Sequence, residues 1–349
     1  MNRDQPSGDR DATVHRLTPR DASRTRPVDG TAERRLRRLE LSITRRLDGL
    51  LHGQHLGLLP GPGSELAGSR EYRPGEDEVR FMDWAVTART TVPHVREVDA
   101  DRELTTWLLV DSTPSMDFGT AELEKRDLAV AAAAAVGFLT AGHGNRLGAH
   151  LMLPDRIRRY PSRAGRTHLL GLLRTLLATP RGAAGETYSL ASAIDGVLRA
   201  ATRRGLVVVV SDFLDGLPDD GLAHDAAAEP EWERPLRRLG ARHQVLAVEV
   251  VDPRELELPD VGLITLIDPE SGDRREISTG STRLRQRYAE AAAAQRDTVA
   301  RAVKRTGAAH LTLRTDGDWV ADVVRHVMTQ RRLAAAATSR APARGGRGG

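Results

Sequence analysis

From Thr105 to Met328 the chain alternates two hydrophobic rhythms. Short apolar runs of strand length occur at Thr105–Val110, Leu147–Leu153, Leu206–Val210, Gln244–Val251 and His310–Leu313. Between them, apolar residues recur at helical spacing over Ala121–Ala141, His168–Leu177, Leu190–Thr202, Trp232–Leu239, Leu284–Arg305 and Trp319–Met328. Leu206–Val210 reads LVVVV, without a polar face, as a strand covered on both sides requires. Ile157–Tyr160 fits a short partner for the strand before it. Gly262–Ile267 and Arg275–Ser278 fit a hairpin around Glu270–Asp273. Strands alternating with helices predict an α/β fold with a doubly wound, mostly parallel sheet of Rossmann-like topology.

The pattern differs upstream. Residues 1–34 are charged, poor in apolar side chains and without a period, so disorder is expected there. Leu36, Leu39, Ile43, Leu47, Leu50 and Leu51 then recur as on one face of a helix, and the Gly/Pro-rich stretch from Gly53 to Gly68 reads as a loop. The expected division is a disordered segment 1–34, a small helical and loop extension 35–104, an α/β domain 105–330 and a disordered Arg/Gly/Ala tail 331–349.

Composition sharpens this picture in three places. Aromatic residues are only 3% of the chain against 40% hydrophobic, so the core must be built from Leu, Val, Ile and Ala. Cysteine is absent, which excludes disulfides, thiolate metal sites and Cys nucleophiles and suits a reducing, cytoplasmic location. No apolar run approaches the roughly 18 residues of a membrane-spanning helix, and no apolar h-region precedes residue 34. The formal charge of +4 is carried by the tail: without Arg331, Arg332, Arg340, Arg344 and Arg347 the remainder stands near −1, so no nucleic-acid partner is expected. Arginine supplies nearly all the positive charge, and the only lysines are Lys125 and Lys304.

Candidate chemistry begins at the end of the first strand, where LLVDSTPS places Asp111, Thr113 and Ser115 at alternate positions. Ligands of open α/β sheets bind outside the carboxyl ends of the strands. A carboxylate and two hydroxyls are hard oxygen donors, suited to Mg²⁺ or Mn²⁺. Asp212 follows another buried strand, and Thr187, with Ser189 two residues on, precedes a helix, so all can reach one edge of the sheet. Each also has a structural reading as a turn or helix cap. Other chemistries lack their motifs: there is no Gly-Lys-[Ser/Thr] phosphate loop, no G-x-S-x-G and no H-E-x-x-H. Glu186 or Asp215 beside a cation would suit an alternative, metal-dependent hydrolase.

Taken together, Asp111, Thr113, Ser115, Thr187 and Asp212 resemble the metal-ion-dependent adhesion site of a von Willebrand factor A domain, with Thr113 replacing the first Ser of its D-x-S-x-S pattern. The usual G-x-T-D-L loop is altered here by Tyr188 and Ser189, which leaves Thr187 and Ser189 as alternatives. Residues 72–97, YRPGEDEVRFMDWAVTARTTVPHVRE, resemble the block that precedes the A domain in the domain-of-unknown-function-58 family. Tyr72, Pro74, Gly75, Asp77, Arg80, Asp83, Trp84, Ala88, Arg89, Arg96 and Glu97 fit it. Glu76 replaces a common Asp, and one residue near Glu78 is inserted. Asp252-Pro253-Arg254-Glu255 and Leu258-Pro259 are similar to later family positions. The resemblance implies a bacterial cytosolic accessory protein, not an enzyme, that docks an acidic group of a protein partner, either a MoxR-type AAA+ ATPase or its client. In the block, the alternating charges suit an ion-pair network with Trp84 as an apolar anchor, or alternatively a partner-facing surface.

Overall fold

The computed structural model describes residues 37, 41, 69–74, 78, 79, 82–96, 104–121, 123–140, 145–153, 155–181, 188–217, 229–267 and 274–340. Two short strands open it, β1 (Ser69–Glu71) and β2 (His94–Arg96), paired antiparallel around helix α1 (Trp84–Thr90). The main sheet follows: β3 (Thr105–Asp111), α2 (Lys125–Thr140), β4 (Arg146–Met152), β5 (Ile157–Ala164), α3 (Arg166–Ala178), α4 (Leu190–Ala200), β6 (Leu206–Ser211), α5 (Glu233–Arg242) and β7 (Gln244–Val251). A one-turn helix α6 (Pro253–Leu256) leads to the hairpin β8 (Leu263–Ile267) and β9 (Arg274–Ser278). Helix α7 (Thr282–Thr306), β10 (Ala309–Arg314) and α8 (Trp319–Arg340) complete the fold.

The six strands lie in the order β10-β7-β6-β3-β4-β5, all parallel except the edge strand β5. This is the doubly wound, mostly parallel α/β sheet that the alternating pattern predicts. Helices α2, α3 and α8 cover one face, and α4, α5 and α7 the other. Successive β3 residues divide between them: Leu108 and Val110 enter the first core, Trp107 and Leu109 the second. With so few aromatics, close approach fills space. Ala129 to Ala135 of α2 are all buried, and Gly148 lies under Trp107, where a Cβ would stand 2.7 Å from the indole.

Two boundaries differ from the sequence pattern. Helix α2 begins at Lys125, not Ala121, because Pro114–Asp117 form a 3₁₀ turn and the chain then crosses to the helix start. Helix α8 runs to Arg340, past Met328 and into the segment expected to be a disordered tail. Ala334–Ala337, the strongest helix formers, account for the extension. The residues of the amphipathic pattern, Leu36, Leu39, Ile43, Leu47, Leu50 and Leu51, lie outside the described residues; between them Arg37 and Leu41 are helical and exposed. No helix among the described residues is long and apolar enough to cross a membrane.

One buried histidine makes this core pH-sensitive. His150 on β4 meets the Trp107 ring edge-on at 5.9 Å, and its Nδ1 has no hydrogen-bond partner. Burial, then the charges of Arg159 and Arg199, push its pKa down from 6.5 to about 4. The folded chain therefore favours the neutral ring. Stability from this group is complete above pH 6.5 and is lost as pH falls through about 4, a change of up to about 3 kcal/mol. Urea unfolding across that range is expected to show a steeper decline for the parent than for His150→Leu; equal slopes would contradict it.

Candidate functional site

The strand order reverses between β3 and β6: β4 and β5 extend one way, β7 and β10 the other. A crevice opens at the carboxyl ends of such a pair. Asp111 ends β3, Ser211 ends β6, and Asp212 follows. The sheet thus fixes two carboxylates beside each other before any loop is considered.

The local turn gathers the first cluster. Asp111 Oδ1 accepts from the Thr113 N–H at 2.9 Å and the Thr113 hydroxyl at 2.7 Å; its Oδ2 accepts from the Ser211 hydroxyl at 2.7 Å. The Thr113 and Ser115 hydroxyls stand 3.2 Å apart. Pro114 at the start of the 3₁₀ turn presets the backbone that brings Ser115 round. Asp111 and Thr113 are buried and Ser115 is half-buried, so the cluster opens to solvent on the Ser115 side. Burial, then the charge of Asp212, push the Asp111 pKa up to about 6, against hydrogen bonds that favour the anion. Among the described residues no cationic side chain pairs with Asp111.

Asp212 has a different environment. Its Oδ2 receives the Lys125 ammonium at 2.8 Å and its Oδ1 the Leu214 N–H at 3.1 Å. Lys125 also donates to Glu255 Oε1 at 2.5 Å and is completely buried. Burial opposes charge on both Lys125 and Asp212. The pairing outweighs it, holding the Asp212 carboxyl below its usual range and the Lys125 ammonium above its own. Lys125 is the first residue of α2, where the helix dipole disfavours a cation, so the two carboxylates are what keep it there.

The ion pairs continue inward. Arg296 on α7 reaches the Asp212 carbonyl at 3.1 Å, Glu249 Oε1 at 3.0 Å and Glu255 Oε2 at 3.2 Å. Glu249, buried in β7, also meets His310 Nε2 at 2.9 Å and the Thr312 hydroxyl at 3.1 Å. Asp252 caps α6 and binds the Thr120 N–H and hydroxyl at 2.9 and 2.6 Å, tying the approach to α2 against the end of β7. This gives the Asp252-Pro253-Arg254-Glu255 motif its physical role: one acid caps and ties, the other holds Lys125 and Arg296. Between the two halves of the site, buried Phe213 adopts a left-handed φ of 57°. Its N–H donates to the Ser211 hydroxyl at 3.1 Å, and its ring packs edge-on against Trp232 at 5.2 Å. A strained bulky residue here is held by its surroundings.

Of the residues expected from sequence, Asp111, Thr113, Ser115 and Asp212 converge. Thr187 and Glu186 lie outside the described residues. Ser189 caps α4, accepting the Ser192 N–H at 3.2 Å, and Asp215 accepts the Leu190 N–H at 2.6 Å. Sequence reasoning missed Ser211, Lys125, Glu255 and Arg296 as site members. The available signal was Lys125 itself, one of two lysines in an arginine-rich chain, set in front of an Ala-rich helix.

In the upstream block, Asp83 caps α1 through the Ala85 and Val86 N–H groups at 3.1 and 3.2 Å. The Tyr72 N–H donates to the Pro93 carbonyl at 2.8 Å, Arg96 pairs with Ser69 across β1 and β2, and Pro74 lies in the turn after β1. Gly75, Asp77, Arg80 and Glu97 lie outside the described residues. The expectation that Trp84 anchors the block is corrected: its side chain is 65% exposed. Helix α1 buries no residue and is fixed by its cap, with Arg89 Nε turned back to the Ala85 carbonyl at 3.1 Å.

Comparison with known proteins agrees with the sequence resemblance. The chain is 55% identical over 301 residues to the uncharacterized protein Rv1480 of Mycobacterium tuberculosis, covering 86% of this chain and 90% of that one. It is 47% identical over 178 residues to the uncharacterized protein MAV169 of Mycobacterium avium, covering 51% of this chain and 97% of that one. Among solved structures, the SpRpn10 VWA domain is similar at 11% identity and a TM-score of 0.34, over 64% of this chain and 94% of that one. A von Willebrand factor type A protein from Catenulispora acidiphila is similar at 11% identity and a TM-score of 0.30, over 58% and 44%. The family model described as protein of unknown function DUF58 matches residues 68–298, and the chain belongs to that family.

Proposed function

We propose that this protein is a non-enzymatic docking module whose crevice holds a divalent cation, Mg²⁺ or Mn²⁺, and through it an acidic side chain of a protein partner. The observation that carries this reading is the buried Asp111 carboxylate, which has three hydrogen bonds and no cationic partner among the described residues, with two hydroxyls beside it and an opening at Ser115. A buried anion without a counter-charge is costly, and hard oxygen donors suit these cations. Asp111, Thr113 and Ser115 are the residues that would hold the ion, with Thr187 as a further donor. When bound, the ion supplies positive charge and open positions for a carboxylate.

The chain's own contribution is orientation: β3 and the 3₁₀ turn set the donors, and Ser211 fixes the Asp111 carboxylate. A partner of the MoxR-type AAA+ class, or one of its clients, in the cytoplasm is the reading that the family resemblance supports. Of the two candidate bases for the hydrolase alternative, Asp215 accepts the Leu190 N–H at the start of α4, and Glu186 lies outside the described residues.

Calorimetric titration of chelator-stripped protein with Mg²⁺ or Mn²⁺ is expected to show saturable binding that Asp111→Ala abolishes. Absence of binding, or binding indifferent to that substitution, would contradict the proposal. A second expectation concerns the metal-free protein. Asp111→Asn keeps the shape but removes a buried charge whose pKa is raised to about 6. Near neutral pH, in chelator, it should stabilise the fold by up to about 3 kcal/mol. A lower thermal midpoint for Asp111→Asn would show that the carboxylate is already compensated.

A further inference from the structure

The two carboxylates at the crevice do not stand in equivalent surroundings. Both oxygens of Asp212 are committed, Oδ2 to the Lys125 ammonium at 2.8 Å and Oδ1 to the Leu214 N–H at 3.1 Å. The ammonium is wholly buried and shared with Glu255 at 2.5 Å, while Arg296 holds the other Glu255 oxygen at 3.2 Å. Asp111, by contrast, has among the described residues hydrogen bonds from Thr113 and Ser211 and no cation. We infer that Lys125 is a resident cation that fills the Asp212 half of the crevice, so that an exchangeable divalent cation is left to the Asp111 half, with Asp111, Thr113, Ser115 and the further donor Thr187. This rests on the cation-docking reading and changes the ligand set that the sequence pattern assigns: Asp212 is the counter-ion of Lys125, not a donor to the exchangeable ion.

Charge follows from this division. An ion entering the Asp111 half meets one unpaired carboxylate, where a pair of free aspartates would offer two. Fewer anionic ligands mean weaker binding. The Lys125 ammonium, held by Asp212, also neutralises the second carboxylate's charge. The site is therefore tuned to hold its ion loosely alone and more firmly once a partner's carboxylate adds the missing negative charge. Lys125 thereby sets the dependence on the partner without touching the ion.

The test replaces the charge and keeps the stem. In Lys125→Met the Asp212 carboxylate loses its counter-ion. In chelator the variant should melt below the parent. Mg²⁺ should raise its midpoint more than it raises the parent's, and should bind on the order of tenfold tighter by calorimetry. Adding Asp212→Asn to Lys125→Met should erase that gain. Mg²⁺ binding no tighter than in the parent, or a gain that survives Asp212→Asn, would overturn the inference.

Asp212→Asn in the parent background tests the same point should Lys125→Met fail to fold. A loss of no more than a few-fold, as expected from the uncompensated Lys125 charge, supports a resident lysine, and abolished binding in a folded variant makes Asp212 a ligand and refutes it. The two readings fail separately. If the parent binds no Mg²⁺ but Lys125→Met binds it through Asp212, the exchangeable-ion reading falls and the resident cation stands. If the parent binds Mg²⁺ and Asp212→Asn abolishes it, the reverse holds.

Discussion

Four carboxylates, those of Asp111, Asp212, Glu249 and Glu255, lie in or beside the crevice at the carboxyl ends of the central strands, where water is largely excluded. Charge in such a place must be matched by opposite charge or by donors, because the interior repays desolvation only when pairing is close. Lys125 and Arg296 do this for three of them. The ammonium links the start of α2 to the ends of β6 and β7, and the guanidinium links α7 to the same strands. The placement of α2 and α7 on opposite faces of the sheet is tied to this buried chain of charges. Removing one member would expose its partners to the full cost of burial. Asp111 is the exception in the set: among the described residues it has hydrogen bonds but no cation.

The crevice thus has a rigid side and an open side. On the rigid side Lys125, Asp212, Glu255 and Arg296 are mutually satisfied, and Phe213 is held in a left-handed conformation between Ser211 and Trp232. On the open side the Thr113 and Ser115 hydroxyls stand beside a carboxylate that has no counter-charge among the described residues. The proposed docking role would use this asymmetry: donors held in place by a packed interior lose little entropy on binding, and an unmatched charge would supply the driving force.

Much of the sheet was legible in the sequence for one reason: parallel strands buried on both faces must be short continuous apolar runs, and LVVVV at Leu206–Val210 admits little else. The antiparallel edge strand β5 was under-read, because its alternating Arg-rich pattern resembles a loop once Tyr160 is passed. The start of α2 was placed too early because Ala-rich composition carries a helical signal without marking its boundary. The Asp111, Thr113 and Ser115 cluster was legible since its members lie within five residues and a single turn assembles them. Asp212 was legible as the carboxylate that follows a buried strand, but its tie to Lys125, Glu255 and Arg296 was not. These four come from separate elements, and only the sheet order brings them together. Trp84 shows the opposite failure: a large apolar side chain invites a core assignment, but a helix held by its Asp83 cap need not bury it.

The most direct test of a crevice with one resident and one exchangeable cation is anomalous scattering from crystals grown with Mn²⁺. A single manganese peak is expected within bonding distance of the Asp111, Thr113 and Ser115 oxygens, with the Lys125 ammonium still seated between Asp212 and Glu255. Manganese bound to Asp212 with Lys125 displaced, or a crevice without any peak in crystals saturated with the metal, would contradict the account.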